Sequence, residues 1–123
     1  MSTILYIEDD AELRTMVHRM LSSHGFIVEM AEDGLEGVGK ALEVKPDLIL
    51  LDIYLPRLDG FGVLQRLKGD PDTWDIPVVA ISAWPTGDNR RRIKEAGAVD
   101  FVAKPFQFDS LISLLQHHLP QPQ

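Results

Sequence analysis

Residues 48–60 read LILLDIYLPRLDG: four apolar residues run straight into Asp52 before the chain turns at Pro56 and Asp59-Gly60. A continuous apolar run suits a strand covered on both faces of a sheet. A carboxylate that closes such a run either caps a turn or does chemistry. The rest of the chain decides between the two.

On both sides of this stretch, short apolar runs alternate with helical patterns. Thr3–Ile7 reads as a strand, and residues 11–23 as a helix with Leu13, Met16, Val17, Met20 and Leu21 at helical spacing, stopped at Gly25. Phe26–Met30 is a second strand, and Asp33-Gly34 turns into a helix carrying Leu35, Val38 and Leu42, ended by Pro46. Asp47–Leu51 is the third strand, followed by a helix over about 60–68 with Phe61, Leu64 and Leu67. Pro77–Ile81 is the fourth strand, residues 86–95 a polar helix stopped at Gly97, and Val99–Ala103 the fifth strand. Residues 107–118 form the last helix, with Phe108, Leu111, Leu115 and Leu119 as its inner stripe. This pattern is five βα units, an α/β (βα)5 doubly wound parallel sheet with helical crossovers.

A chain of 123 residues is about one domain. Residues 1–119 are read as that domain, and Pro120–Gln123 as a tail or the start of a linker. A net charge of −7 argues against a general nucleic-acid or acidic-membrane surface. The absence of cysteine excludes disulfides and thiolate metal sites and fits a reducing cytosol. No stretch resembles a signal peptide or a membrane span, so the expected location is the cytoplasm.

Open α/β sheets bind ligands beyond the carboxyl ends of their strands. Glu8, Asp9 and Asp10 follow strand 1, Asp52 follows strand 3, Ser82 and Ala83 follow strand 4, and Lys104-Pro105 follow strand 5. Carboxylates within ~5 Å of one another repel by roughly 3 kcal/mol per pair at an effective dielectric near 20, so such a rim needs a cation. Carboxylate and carbonyl oxygens suit Mg²⁺, or Mn²⁺. With a metal present, one carboxylate can attack a phosphoryl group, while an ammonium and a hydroxyl hold its equatorial oxygens.

In its order of motifs, the chain resembles the receiver domains of two-component response regulators. The matching features are YIEDD after strand 1, LILLD with Pro56 and Asp59-Gly60, AIS-A at strand 4 and AGAVDFVAKPF at strand 5. The resemblance implies a flavodoxin-like sheet of order 2-1-3-4-5. It implies Asp52 as phosphoacceptor and Glu8, Asp9, Asp52 and the Tyr54 backbone carbonyl as the Mg²⁺ set. It implies Lys104 as the phosphoryl-contacting lysine, with a cis bond to Pro105, and Ser82 and Phe101 as switch residues, with Ala83 leaving the pocket open. Implied partners are a histidine kinase or histidine phosphotransfer protein, and a downstream protein or output domain. The latter would use the face of helix 4, strand 5 and helix 5, where Arg90, Arg91, Lys94, Ile112 and Leu114 stand. Such a module catalyses only its own phosphorylation and dephosphorylation and is otherwise not an enzyme.

The chain departs from the family pattern at Glu8, where aspartate is commoner, and at Leu55, where methionine is common. It departs again at Tyr54 and Trp84, large aromatics at rim positions where they would shield a phosphoryl group from water. Bland readings remain for several residues. Asp10 reads as a helix N-cap, Asp59-Gly60 as a turn, and His117-His118 as surface residues favoured by the helix dipole. Phe101 also reads as core, and the basic run at 90–94 as a solvated helix face.

Three rival functions are weighed. A metal-dependent phosphohydrolase would need an acid two residues after the nucleophile, where Tyr54 stands, and a cap for which the chain has no room. A flavin domain would need a phosphate-cradling loop where Glu8-Asp9-Asp10 would repel it. An interaction module that is never phosphorylated would not need the intact acceptor set.

Overall fold

The computed structural model describes residues 2–83 and 87–119. Five strands and five helices alternate along the chain: β1 (Thr3–Ile7), α1 (Ala11–Ser23), β2 (Ile27–Ala31), α2 (Gly34–Val44), β3 (Leu48–Asp52), α3 (Gly60–Lys68), β4 (Val78–Ser82), α4 (Gly87–Glu95), β5 (Asp100–Ala103) and α5 (Phe108–His118). All neighbouring strands pair in parallel, in the order β2-β1-β3-β4-β5. The sheet order and the five βα units are those expected from the sequence.

The period-2 alternation of strands sorts the core into two layers. Ile4 and Tyr6 of β1, Leu48 and Leu50 of β3, and Val79 and Ile81 of β4 pack with Val17 and Leu21 of α1 and with Leu111, Ile112 and Leu115 of α5. Leu5, Ile7, Ile49, Leu51, Val78 and Ala80 belong to the opposite layer, with Ala41 of α2, Val63, Leu64 and Leu67 of α3, and Ile93 of α4. By the same parity, Glu8 and Asp52 continue the α1/α5 side of their strands, and Ser82 continues the α2–α4 side of its own.

Helix starts follow local chemistry. Asp10 caps α1 by accepting from the N–H groups of Glu12 and Leu13, Asp33 caps α2 through Glu36, and Asp59 caps α3 through Gly62. The end of α1 uses Gly25 at φ +88°, which lets the Phe26 N–H return to the Leu21 carbonyl at 3.2 Å.

Four sequence expectations are corrected. First, β2, β3 and β4 each begin and end one residue later than read, and β5 begins one residue later. Ladder bonding continues through Asp52 and Ser82, shown by Ile53 N–H to the Ile81 carbonyl (3.0 Å) and Lys104 N–H to the Ser82 carbonyl (2.9 Å). Both residues are therefore the last of their strands rather than the first of a loop.

Second, α2 does not bury Leu35 and Leu42, which are 37% and 38% exposed. It packs through Gly34, Gly37 and Ala41, with Val38 partly buried beside them. A Cβ on Gly37 would come 2.5 Å from Ile7 Cδ1, and one on Gly34 would overlap the Leu58 carbonyl. Close approach, not side-chain bulk, sets this contact.

Third, Ile112 is not part of an apolar surface. It is 7% exposed and belongs to the α1/α5 core, and Leu114 is half-buried against the same core. The inner stripe of α5 is wider than a single row because the helix shares one core layer with both the sheet and α1. Fourth, His118 is not a free surface side chain, since its Nε2 lies 3.1 Å from Asp100 Oδ2 at the start of β5. The readings of residue 86 as a helix start and of residues 120–123 as a tail lie outside the described residues.

The packing of α2 makes a testable contrast within one helix. Gly34→Ala is expected to cost about 1–3 kcal/mol or more, because the added methyl collides with backbone. Gly39→Ala, which meets nothing within 4 Å, is expected to gain up to about 1 kcal/mol from helix propensity. Urea unfolding of both variants measures the difference, and equal effects would contradict the close-approach account.

Candidate functional site

The carboxyl ends of β1, β3, β4 and β5 bring the expected site residues to one rim. Glu8 directly follows β1, Asp52 closes β3, Ser82 closes β4 and Lys104 directly follows β5. Glu8, Asp52 and Ser82 are buried, whereas Asp9 is exposed. One carboxylate oxygen from each of Glu8, Asp9 and Asp52 lies within 4.8 Å of the others.

A single ammonium holds this acidic group together. Lys104 Nζ is 2.9 Å from Asp52 Oδ2 and 3.1 Å from Glu8 Oε1. Its peptide bond to Pro105 is cis, as expected from the family resemblance. Burial works to lower the Lys104 pKa, but the carboxylates of Asp52 and Glu8 outweigh it and raise the value. The ammonium therefore stays charged at neutral pH.

Glu8 lies deepest. Tyr6 donates its hydroxyl to Glu8 Oε1 at 3.2 Å, and Arg14 on α1 donates to the Glu8 carbonyl at 2.7 Å. Burial, and then the Asp52 carboxylate beside it, push Glu8 up to about 8 against the opposing pull of Lys104. Burial, followed by Glu8, also raises the Tyr6 phenol far above its usual range, so it remains a donor.

The loop after β3 folds back on itself. Gly60 N–H bonds the Ile53 carbonyl at 2.7 Å, and Tyr54 N–H donates to Asp52 Oδ1 at 3.0 Å. These bonds fix one Asp52 oxygen toward the loop and leave the other to Lys104. The Tyr54 ring is 49% exposed, yet its hydroxyl accepts from Asn89 Nδ2 of α4 at 3.3 Å. The ring thus reaches from the β3 loop to α4 rather than standing free in solvent. Trp84, the second aromatic expected at the rim, lies outside the described residues.

Asn89 is a further polar residue at this rim, beyond those expected from the sequence. It is 7% exposed and also lies 3.4 Å from the Ser82 hydroxyl. It stands in a polar run, GDNRRRIKE, whose one apolar residue, Ile93, lies four residues on along the same helix face and is the local signal that this face is buried.

Phe101 is half-buried against the α2–α4 core, and the Arg90 guanidinium sits 4.6 Å from its ring centroid. Arg90, Arg91 and Lys94 are exposed on α4. Arg92 of the same run turns to the Phe61 ring of α3, at 4.5 Å.

Comparison with known proteins agrees with this arrangement. The sequence pattern of the response regulator receiver domain matches residues 4–116. The DNA-binding dual master transcriptional regulator RpaA of Synechocystis is 38% identical over 92% of the chain, and the response regulator MprA of Mycobacterium tuberculosis is 35% identical over 92%. These alignments cover only 47% and 48% of those proteins, so the chain spans about half the length of the curated relatives it matches. Among solved structures, chemotaxis protein CheY4 of Vibrio cholerae superposes with a TM-score of 0.92 at 28% identity, covering 97% of this chain and 99% of that one. The receiver domain of sensor histidine kinase PA1611 from Pseudomonas aeruginosa, with a magnesium ion coordinated in its active-site cleft, superposes with a TM-score of 0.88 at 32% identity, covering 94% and 95%.

The chain belongs to the response regulator receiver domain family. Members of this class are phosphoacceptor signalling switches rather than classical enzymes. The family binds Mg²⁺ in an acidic pocket, and the all-oxygen set of Glu8, Asp9 and Asp52 fits that hard cation. Among the described residues, no helix is long and apolar enough to cross a membrane.

The raised Glu8 pKa gives a pH dependence with a definite sign. A carboxyl raised on folding contributes stability that is full below its unfolded value of about 4.5 and is lost as pH rises through about 8. Metal-free protein is therefore expected to lose stability relative to Glu8→Gln as pH climbs across that window. Mg²⁺ affinity should rise over the same range, because the cation competes with the Glu8 proton. Melting curves and Mg²⁺ titrations of both proteins between pH 5 and 9 check this; parallel curves would contradict it.

Proposed function

We propose that this domain accepts a phosphoryl group on Asp52 from a phosphohistidine donor and passes the change to a protein partner through α4, β5 and α5. The observation that carries this reading is the Lys104 ammonium, 2.9 Å from Asp52 Oδ2 inside a cluster of three carboxylates. An aspartate so placed has one oxygen held by the Tyr54 N–H and the other paired to a cation that can move to an incoming phosphoryl oxygen.

Glu8, Asp9, Asp52 and the Tyr54 carbonyl would hold Mg²⁺, which when bound supplies positive charge to the phosphoryl oxygens. Asp52 uses a carboxylate oxygen to attack phosphorus. The P–N bond to the donor imidazole breaks, and the imidazole leaves as a neutral ring after taking up a proton. Lys104 transfers part of its pairing from Asp52 to an equatorial phosphoryl oxygen, and Ser82 donates its hydroxyl to another. Phe101 is the aromatic that repacks when Ser82 moves. The domain catalyses only its own phosphorylation and dephosphorylation.

The donor is a histidine kinase or histidine phosphotransfer protein. The output partner, whether a separate protein or a domain on the same chain, meets Arg90, Arg91 and Lys94, with Leu114 at the margin. Residues 1–119 act as the receiver unit, and we place it in the cytoplasm, where phosphohistidine donors present their kinase cores.

Two variants test the chemistry. Asp52→Asn keeps the side-chain shape but lacks the attacking carboxylate. It should fold normally and gain no phosphoryl mass with acetyl phosphate and Mg²⁺, whereas full labelling of this variant would refute the assignment. Tyr54→Asn removes a ring that reaches across to α4 and is expected to speed loss of the phosphoryl group. A tenfold change corresponds to about 1.4 kcal/mol of barrier. An unchanged rate of loss, followed by mass spectrometry, would assign Tyr54 to recognition instead of shielding.

A further inference from the structure

Asn89 is a buried polar side chain for which the phosphoryl chemistry has no assigned use. It sits in the first turn of α4 and is 7% exposed. Its Nδ2 lies 3.3 Å from the Tyr54 hydroxyl and 3.4 Å from the Ser82 hydroxyl. A carboxamide nitrogen carries two protons, so one atom donates to both oxygens. Three segments meet there: the loop after β3, the end of β4 and the start of α4.

We propose that Asn89 is a positioning residue that latches the unphosphorylated state, holding the Ser82 hydroxyl toward α4 and the Tyr54 ring across the mouth of the site. This inference rests on the reading of Asp52 as phosphoacceptor.

The strand alternation supplies the reason. Asp52 continues the α1/α5 side of β3, while Ser82 continues the α2–α4 side of β4, as Val78 and Ala80 do before it. At rest, the Ser82 hydroxyl therefore faces the layer that contains Asn89. To donate to a phosphoryl oxygen on Asp52, it has to turn across its strand toward β3. The Asn89 contact is already at the long end of hydrogen-bond distance, and this turn breaks it.

Loss of the bond removes one tie between the first turn of α4 and β4. The next residue, Arg90, lies over the Phe101 ring, so the same release uncovers Phe101. The bonds from Asn89 to Tyr54 and Ser82 are long and hence weak, which suits a contact that the phosphoryl group must overcome.

The test uses beryllofluoride with Mg²⁺ as a phosphoryl mimic, titrated into the full chain by calorimetry. The proteins are wild type, Asn89→Ala, Ser82→Ala, the double variant and Tyr54→Phe, each with a melting curve. Asn89→Ala is expected to bind beryllofluoride about threefold to tenfold more tightly, the range for loss of one or two weak hydrogen bonds in the resting state. Tyr54→Phe should show a smaller gain. In the Ser82→Ala background, the Asn89 substitution should add at most the small Tyr54 component, since the bond it removes is already gone.

A merely structural role would lower the melting temperature of Asn89→Ala without tightening beryllofluoride binding. If Asn89→Ala fails to fold, Asn89→Leu, close in shape and without a donor, takes its place with the same expected gain. Equal or weaker binding in the Asn89 variants, or an undiminished gain in the Ser82→Ala background, would overturn the latch. Wild type that binds no beryllofluoride would overturn the Asp52 reading and the latch together. Normal wild-type binding with unresponsive Asn89 variants would overturn the latch alone.

Discussion

The contact on which the site depends is the one ammonium shared by two buried carboxylates. Lys104 reaches Asp52 and Glu8 at about the same distance, from the far side of the sheet's β4 strand. Taking two carboxylates out of water costs several kcal/mol per ion unless a cation compensates. The structure compensates in two ways: Lys104 pairs with both acids, and Glu8 tends toward its protonated form. Both arrangements are provisional. A proton can leave Glu8 and an ammonium can shift along its flexible stem, so the pocket is stable when empty of phosphate and still able to rearrange.

Much of this is legible in the sequence because apolar runs and charged residues adjoin. Asp52, Glu8 and Lys104 each sit against a strand whose hydrophobicity marks it, and the same adjacency gives the sheet. Registers were read one residue early at four strands, since sequence alone does not show where ladder bonding stops. That small error moved Asp52 and Ser82 from loop to strand, which changes what fixes their direction: strand parity rather than a turn.

The misses share a cause. The buried stripe of α2 is built from Gly34, Gly37 and Ala41, which carry little hydrophobic signal, so the larger Leu35 and Leu42 drew the reading to the wrong face. Ile112 falls outside a single row at three- and four-residue spacing, which cannot represent a helix packed against both a sheet and a neighbouring helix. Asn89, with Tyr54, and the His118–Asp100 pair are polar groups whose partners lie 35 and 18 residues away along the chain. For Asn89 the local signal is faint, a single isoleucine, Ile93, one turn further along the same face of a charged helix, and for the pair only tertiary placement shows the contact.

The alternation of the strands has a consequence for how such a domain can diversify. Because Asp52 and Ser82 continue opposite sides of adjacent strands, deleting one residue within β4 would move the hydroxyl from the layer of Asn89 to the α1/α5 layer and leave the acids untouched. Strand length is thus tied to the chemistry, whereas the outer surfaces of the helices are not. Substitutions there can change the surface offered to other proteins without retuning the pocket. A single chemical core can in this way be copied into many insulated signalling channels.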